Sequence, residues 1–319
     1  MESEYAIEVA DLTKRFGDFT AVNELNFTVR RGDIFGFLGA NGAGKSTTIR
    51  MLCGLLQSTS GTATVGGFDI NKDTERLKQN IGYMSQKFSL YDDLTVEQNI
   101  RFFGGIYGIP NARLQERMQW VLRIADLKGR EDSLTRNLSG GWKQRLALGC
   151  AILHQPGIVF LDEPTGGVDP ISRRNFWELI NQLSADGVTV LVTTHFLDEA
   201  EYCNDIILIN AGKLIASGSP VNLKTQHIKN PILEVRLPQQ SIVEALELVR
   251  VQPWALETSV FGTSLHVMVH DEQEGRAAIG RILQEHGIPM LECERIVPSL
   301  EDVFLFLLEQ DTQRPGKEL

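Results

Sequence analysis

The run Gly39-Ala40-Asn41-Gly42-Ala43-Gly44-Lys45-Ser46-Thr47 fits the pattern GxxxxGK followed by Ser or Thr. It stands between an apolar run, Ile34-Phe35-Gly36-Phe37-Leu38, and a helical one, Thr48-Ile49-Arg50-Met51-Leu52. Residues of these types at this spacing bind phosphate. Glycines at 39, 42 and 44 let successive backbone N–H groups converge on a β-phosphate, and the helix N-terminus adds its partial positive charge. Asn41 and Thr47 belong to the same loop, Lys45 neutralises phosphate oxygens, and Ser46 is placed to ligate Mg2+. Further along, the apolar run Ile158-Val159-Phe160-Leu161 delivers Asp162 and Glu163 at its end, with Pro164 next. Asp162 would hold Mg2+ through its water shell, while Glu163, the next residue, points differently and could polarise an attacking water.

Such residues work only if a scaffold brings them together. Runs 34–38, 158–161 and 188–192 are apolar without polar alternation, as in parallel strands buried on both faces of an α/β sheet. Ligands of such sheets gather at the C-terminal ends of the strands. A polar, helix-rich stretch, about 92–155, reads as a subdomain inserted into the sheet, and 7–29 with 62–65 as half-buried antiparallel strands at one edge. The pattern breaks near Gly218-Ser219-Pro220 and a polar run at 224–231. It then restarts with strands at 232–237, 254–261, 264–270 and 290–297 and helices at 241–250 and 272–286. That is the βαββαβ order of a ferredoxin-like domain, with one more helix at 300–309. Along that last helix Leu300, Val303, Phe304, Leu307 and Leu308 form one apolar stripe, opened by Ser299 with Asp302 as a capping box.

The 319 residues suit about two domains. A net charge of −10 disfavours a general basic face for nucleic acid or anionic lipid. The start, Met1-Glu2-Ser3-Glu4-Tyr5, lacks the n- and h-regions of a signal peptide, and no run is long and apolar enough to span a membrane. The chain is therefore expected in the cytosol, with any membrane role played through a partner. Cys53, Cys150, Cys203 and Cys293 have no metal-ligand spacing and read as buried free thiols.

Residues 7–223 resemble the ATP-binding subunits of ABC transporters, with further motifs in the family's order. Leu138-Ser139-Gly140-Gly141-Trp142 is similar to the family signature. The resemblance implies that Ser139, Gly140 and Gly141 grip the γ-phosphate bound by an opposite subunit. It likewise implies that Gln86 reaches the metal or the water, Asp169 crosses to the partner subunit, His195 is the switch histidine near the γ-phosphate, and Phe16 stacks on adenine. Two residues depart from the pattern. Trp142 stands where the signature has Gln, so its indole should lie near the partner's nucleotide. In Thr165-Gly166-Gly167-Val168-Asp169 a glycine replaces the usual serine.

What the resemblance implies is an α/β P-loop ABC ATPase domain, residues 5–225, with a parallel-sheet core, an antiparallel β edge and a helical subdomain at about 92–155. A small ferredoxin-like α/β domain, 231–310, follows as a regulatory or dimerisation module, with 311–319 as a frayed tail. The catalytic set would be Glu163, His195, Gln86 and Lys45; the metal set Ser46, Gln86 and Asp162; the ligands ATP and Mg2+. One set of motifs supplies half of each site, so the working unit would be a homodimer or a pair with a related ATPase. It would sit on the inner face of the cell membrane through integral membrane permease subunits, with a periplasmic adaptor as one option and no nucleic acid. Residues 87–96, with Phe88, Leu90 and Tyr91, would form a groove for a short permease helix or fill the seam with the helical subdomain. The ending Pro298-Ser299-Leu300-Glu301-Asp302-Val303-Phe304-Leu305 is similar to that of drug-resistance ATPases of daunorubicin-exporter type, which favours export and multidrug efflux. An importer motor and a soluble non-transport ABC ATPase are the alternatives left open.

Overall fold

Apolar and polar residues alternate along Tyr5–Phe16 (β1) and Phe19–Arg30 (β2), most regularly at Leu25, Phe27 and Val29, which are buried between exposed neighbours. This computed structural model describes residues 3–87 and 89–313, with side chains in the last helix described to Leu308. Met1, Glu2, Phe88 and 314–319 lie outside the described residues. β1 pairs antiparallel with β2 and with Ser60–Val65 (β4), which turns into Phe68–Asp69 (β5), giving the order β2-β1-β4-β5.

Ile34–Leu38 (β3) is buried at every position, as an unalternating apolar strand must be. Its loop leads into Lys45–Leu52 (α1). Thr74–Asn80 (α2) feeds Ile81–Met84 (β6). Three helices follow, Val96–Ile106 (α3), Asn111–Ile124 (α4) and Gly140–Ala151 (α5), before the sheet resumes with Ile158–Asp162 (β7). Pro170–Ala185 (α6) crosses to Thr189–Thr194 (β8), and Asp205–Asn210 (β9) and Lys213–Gly218 (β10) close the sheet. The order is β10-β9-β3-β8-β7-β6, parallel except for β10. Phe27 of the antiparallel sheet meets Phe35 and Phe37 of β3, ring centroids 5.6 and 5.4 Å apart, so the two sheets share one core. Each such buried side chain contributes about 1.5–3 kcal/mol.

The helical insertion has a core of its own. Thr95 opens α3 with a reciprocal capping box to Gln98. Val96 and Ile100 of α3, Leu114, Met118, Val121 and Leu122 of α4, and Leu146 and Cys150 of α5 then pack together. The insertion spans 96–151 by its helices, within the expected 92–155.

The chain divides into two compact units, one ending at Pro220 and one beginning at Val221. Across the expected break, residues 220–227 form a helix, Pro220–His227 (α7), which takes in the first part of the polar run at 224–231 and has Leu223 buried. A proline at a helix start gives up no hydrogen bond, so the polar run folds once Leu223 has a burial site. In the second unit Ile232–Arg236 (β11), Ile242–Arg250 (α8), Ala255–Phe261 (β12), Ser264–Val269 (β13), Glu272–Glu285 (α9) and Glu292–Ile296 (β14) run β–α–β–β–α–β. The sheet is antiparallel, in the order β12-β13-β11-β14. Leu233, Val235, Leu265, Val267 and Val269 face α8 and α9.

The last helix, Leu300–Gln313 (α10), runs past its expected end at 309 and into the stretch expected as a tail. Ser299 N–H donates to Asp302 Oδ2 at 2.7 Å, and Asp302 N–H donates back to Ser299 Oγ at 3.1 Å. Of the expected stripe, Leu300 and Val303 are buried, while Phe304, Leu307 and Leu308 are half-buried. All four cysteines are free and buried, and burial raises their thiol pKa values. No helix among the described residues is long and apolar enough to cross a membrane.

Candidate nucleotide site

β3, β8 and β7 lie side by side, so the loops leaving their C-terminal ends meet at one edge of the sheet. After β3 the glycine loop is pressed against its own backbone. A Cβ on Gly39 would stand 2.3 Å from the Ile209 carbonyl oxygen, and one on Gly44, at φ +105°, would stand 2.5 Å from that of Ala21. Only glycine fits at either position. Gly42 and Asn41 are exposed on the outer turn, and Thr47 is half-buried in the first turn of α1.

Lys45 opens α1 with its side chain buried, and Nζ donates to the carbonyls of Gly39 at 2.8 Å and Ala40 at 3.2 Å. It also stands 3.4 Å from Glu163 Oε1. Ser46 Oγ donates to Asp162 Oδ1 at 2.9 Å, joining the end of the glycine loop to the end of β7. Thr193 Oγ1 donates to the same oxygen at 2.8 Å.

Glu163 adopts a left-handed backbone, φ +47°, which turns its side chain away from that of Asp162. Its N–H is held by Thr193, through the hydroxyl at 2.9 Å and the carbonyl at 3.2 Å. Its carboxylate is ringed by the other catalytic candidates. Gln86 Nε2 donates to Oε2 at 2.9 Å, and His195 Nδ1 lies 3.5 Å from the same oxygen.

A second group stands at two helix starts. Ser139 precedes α5, and Gly140 and Gly141 form its first turn. A Cβ on Gly141 would meet Ser172 Oγ at 2.5 Å, so α5 and α6 approach closely there. Asp169 caps α6 by accepting from Ser172 N–H at 3.0 Å. Hydrogen bonds from Ser172, side chain and then backbone, hold the Asp169 carboxyl below its usual value. Phe16, at the end of β1, is half exposed, with Lys14 Nζ 5.0 Å from the ring centroid. Hydrogen bonds and ion pairs thus join Lys45, Ser46, Gln86, Asp162, Glu163 and His195, through Thr193, into one connected cluster.

Trp142 does not lie open beside the signature. Its indole packs against the core of α3–α5 under the Arg130 guanidinium, 3.6 Å from the ring centroid. An indole in the first turn of a helix that is buried on most sides covers more apolar area turned inward than standing in solvent.

Thr193 escaped the sequence reading although it holds both Asp162 and Glu163. Its only signal was a hydroxyl at the C-terminal end of an apolar run. Gln144 of α5, also unforeseen, donates to the Pro164 carbonyl at 2.6 Å, tying the helix behind the signature to the loop after Glu163.

The Ser46 hydroxyl, the Asp162 carboxylate and the Gln86 amide are all hard oxygen donors, a set that fits Mg2+ better than a soft metal. The Ser46–Asp162 contact shows that two of the three already converge.

Comparison with known proteins agrees with this geometry. The family model described as ABC transporter matches residues 22–166. The probable multidrug ABC transporter ATP-binding protein YbhF of Escherichia coli is 55% identical over 223 residues, 70% of this chain but 39% of that protein's length. The Nod factor export ATP-binding protein I of Ralstonia nicotianae is 37% identical over 94% of this chain and 93% of its own. The linearmycin resistance ATP-binding protein LnrL of Bacillus subtilis is 34% identical over 94% and 97%. Among solved structures, an ATP-binding subunit of an ABC transporter superposes with a TM-score of 0.63 at 31% identity, over 69% of this chain and 92% of its own. A dimeric ATP-binding cassette in a post-hydrolysis state, bound to ADP and Pi, gives 0.61 at 26% identity, over 67% and 98%. With relatives of this similarity along nearly its whole length, the chain belongs to the family of ABC transporter ATP-binding proteins.

Proposed function

We propose that the chain binds Mg-ATP and hydrolyses it between two copies, as the motor of an exporter whose membrane subunits are separate proteins. The observation that carries this reading is the ring around Glu163: Lys45 at 3.4 Å, Gln86 at 2.9 Å and His195 at 3.5 Å, beside the Ser46–Asp162 pair.

Phosphoryl transfer to water needs positioning and charge neutralisation more than covalent chemistry. The glycine loop offers its N–H groups to phosphate oxygens, and Lys45 adds a fixed positive charge. Glu163 accepts a proton from the attacking water, with Gln86 fixing the carboxylate and His195 poised on its other side. Ser46, Asp162 and Gln86 would hold Mg2+, which supplies further neutralisation on the phosphates when bound. Phe16, exposed and aromatic, suits stacking on adenine. Ser139, Gly140 and Gly141 at the start of α5 and Asp169 at the start of α6 would serve the opposite copy's nucleotide. The dimeric cassette bound to ADP and Pi supports this pairing by its likeness.

Export rests on the relatives, which are named for Nod factor export, linearmycin resistance and multidrug transport. A permease helix has a plausible seat in a cavity of about 460 Å³ lined by Leu55, Tyr83, Ile106 and Tyr107. Tyr91, half exposed and edge-on to Phe102 at 4.6 Å, offers a second apolar surface, whereas Leu90 packs against the helical core. Through that seat the chain would sit peripherally on the inner face of the membrane. The relatives' names carry no periplasmic adaptor. In the second unit, half-buried Phe304, Leu307 and Leu308 support a regulatory or dimerisation role.

The test is ATP turnover by the purified chain with and without Mg2+, beside Glu163→Gln. Mg2+-dependent turnover abolished by Glu163→Gln supports the reading, and a wild-type chain that binds no ATP overturns it.

A further inference from the structure

Glu199 is a carboxylate that the chemistry above leaves unused. It opens a short helical turn, Glu199–Tyr202, after β8 and is 1% exposed. An ionised carboxylate is buried at such cost that its partners must be specific. Here each oxygen takes one hydroxyl: Thr165 Oγ1 donates to Oε1 at 2.5 Å, and Thr194 Oγ1 donates to Oε2 at 2.6 Å. Arg173 of α6 provides the counter-charge, with Nε 3.5 Å from Oε1.

The two threonines flank the reacting groups. Thr165 lies between Glu163 and Asp169, and Thr194 immediately precedes His195. Thr194 Oγ1 also accepts from Phe196 N–H at 2.9 Å. The Phe196 ring lies 4.1 Å from the His195 ring, and the Arg173 guanidinium covers it at 4.2 Å. One buried carboxylate therefore fixes the loop after Glu163, the loop of His195 and the start of α6.

We propose that Glu199 is a positioning residue for ATP hydrolysis: its carboxylate clasps Thr165 to Thr194, so that Glu163 and His195 keep one spacing and Asp169 moves only with them. The proposal rests on the ATPase reading above. A clasp of this kind holds groups that act on the transition state, so its loss lowers kcat more than ATP binding.

The experiment measures kcat, KM for ATP and direct ATP binding in the full chain, with each rate normalised to ATP-binding sites. Glu199→Gln and Thr165→Val should each lower kcat about tenfold or more while KM stays within about threefold, and Thr165→Ser, which keeps the hydroxyl, should recover most of the rate. A merely structural role would lower the melting temperature and leave kcat per site unchanged. Should Glu199→Gln fail to fold, Thr165→Val against Thr165→Ser decides alone. Folded variants that turn over at the wild-type rate overturn the clasp. A wild-type chain that hydrolyses nothing overturns the ATPase reading instead, and hydrogen exchange then reads the clasp separately. Faster exchange of the His195 and Phe196 amides in Thr165→Val, but not in Thr165→Ser, supports it; unchanged exchange overturns it.

Discussion

Gln86 Nε2 donates to Glu163 Oε2 at 2.9 Å, joining the loop after β6 to the end of β7. The carboxylate is thereby aimed, and Lys45 faces its other oxygen. Glu163→Gln keeps the shape but removes the proton acceptor. We expect ATP binding to persist and turnover to fall by about 10²-fold or more, leaving a long-lived ATP-bound dimer visible in sedimentation. Lys45→Ala should instead weaken ATP binding itself, measured by equilibrium dialysis. Turnover at the wild-type rate in Glu163→Gln would assign the base to another group.

Ser46 and Thr193 donate to the same oxygen of Asp162, and they should be separable by metal titration. Ser46→Ala removes a ligand as well as a hydrogen bond, so the Mg2+ concentration giving half-maximal turnover should rise about tenfold or more. Thr193→Val removes only the support, and its rise should be smaller. Equal Mg2+ dependence in wild type and Ser46→Ala would remove Ser46 from the metal set.

Trp142 is packed inward, under Arg130 and against the core of α3–α5. Its emission should therefore stay unchanged when ATP is added to Glu163→Gln, as a difference spectrum against the same protein carrying Trp142→Phe would show. Trp142→Ala should cost about 2 kcal/mol of stability in urea unfolding, from lost packing and the lost cation–π contact. An ATP-dependent emission change that disappears with Trp142→Phe would place the indole at the nucleotide after all.

In the second unit Asp302 Oδ1 lies 2.8 Å from His266 Nδ1, which stacks on Phe261. Burial alone would raise the Asp302 carboxyl, but hydrogen bonds from His266 and Ser299 outweigh it and hold it below the ordinary 3.8. A depressed carboxyl stabilises the fold above its unfolded value and loses that contribution as pH falls through the folded one. Asp302→Asn should cost about 1–3 kcal/mol at neutral pH. The gap between wild type and Asp302→Asn should narrow only below about pH 3.8, read by acid unfolding in circular dichroism. A gap that closes well above that pH would remove the Asp302 carboxylate as the source of the stability.

The sequence by itself determined the phosphate loop, the strand that delivers Asp162 and Glu163, and the β–α–β–β–α–β order of the second unit. The reason is local: glycine spacing, unbroken apolar strands and the Ser299–Asp302 cap are short-range requirements legible in a few adjacent residues. Only tertiary structure decided which distant groups meet. Thr193 and Glu199 carry no motif, and their roles arise because β8 lies beside β7, bringing the Thr193 hydroxyl onto Asp162 and Glu199, just after β8, onto the Thr165 hydroxyl. The signature spacing says nothing of which neighbours the Trp142 ring meets; tertiary packing sets its half-buried indole against the core of α3–α5 and under Arg130, where its large ring leaves less apolar surface in water. The polar run after Gly218 became a helix for the same reason, since burial of Leu223 outweighs the weak local preference of its neighbours.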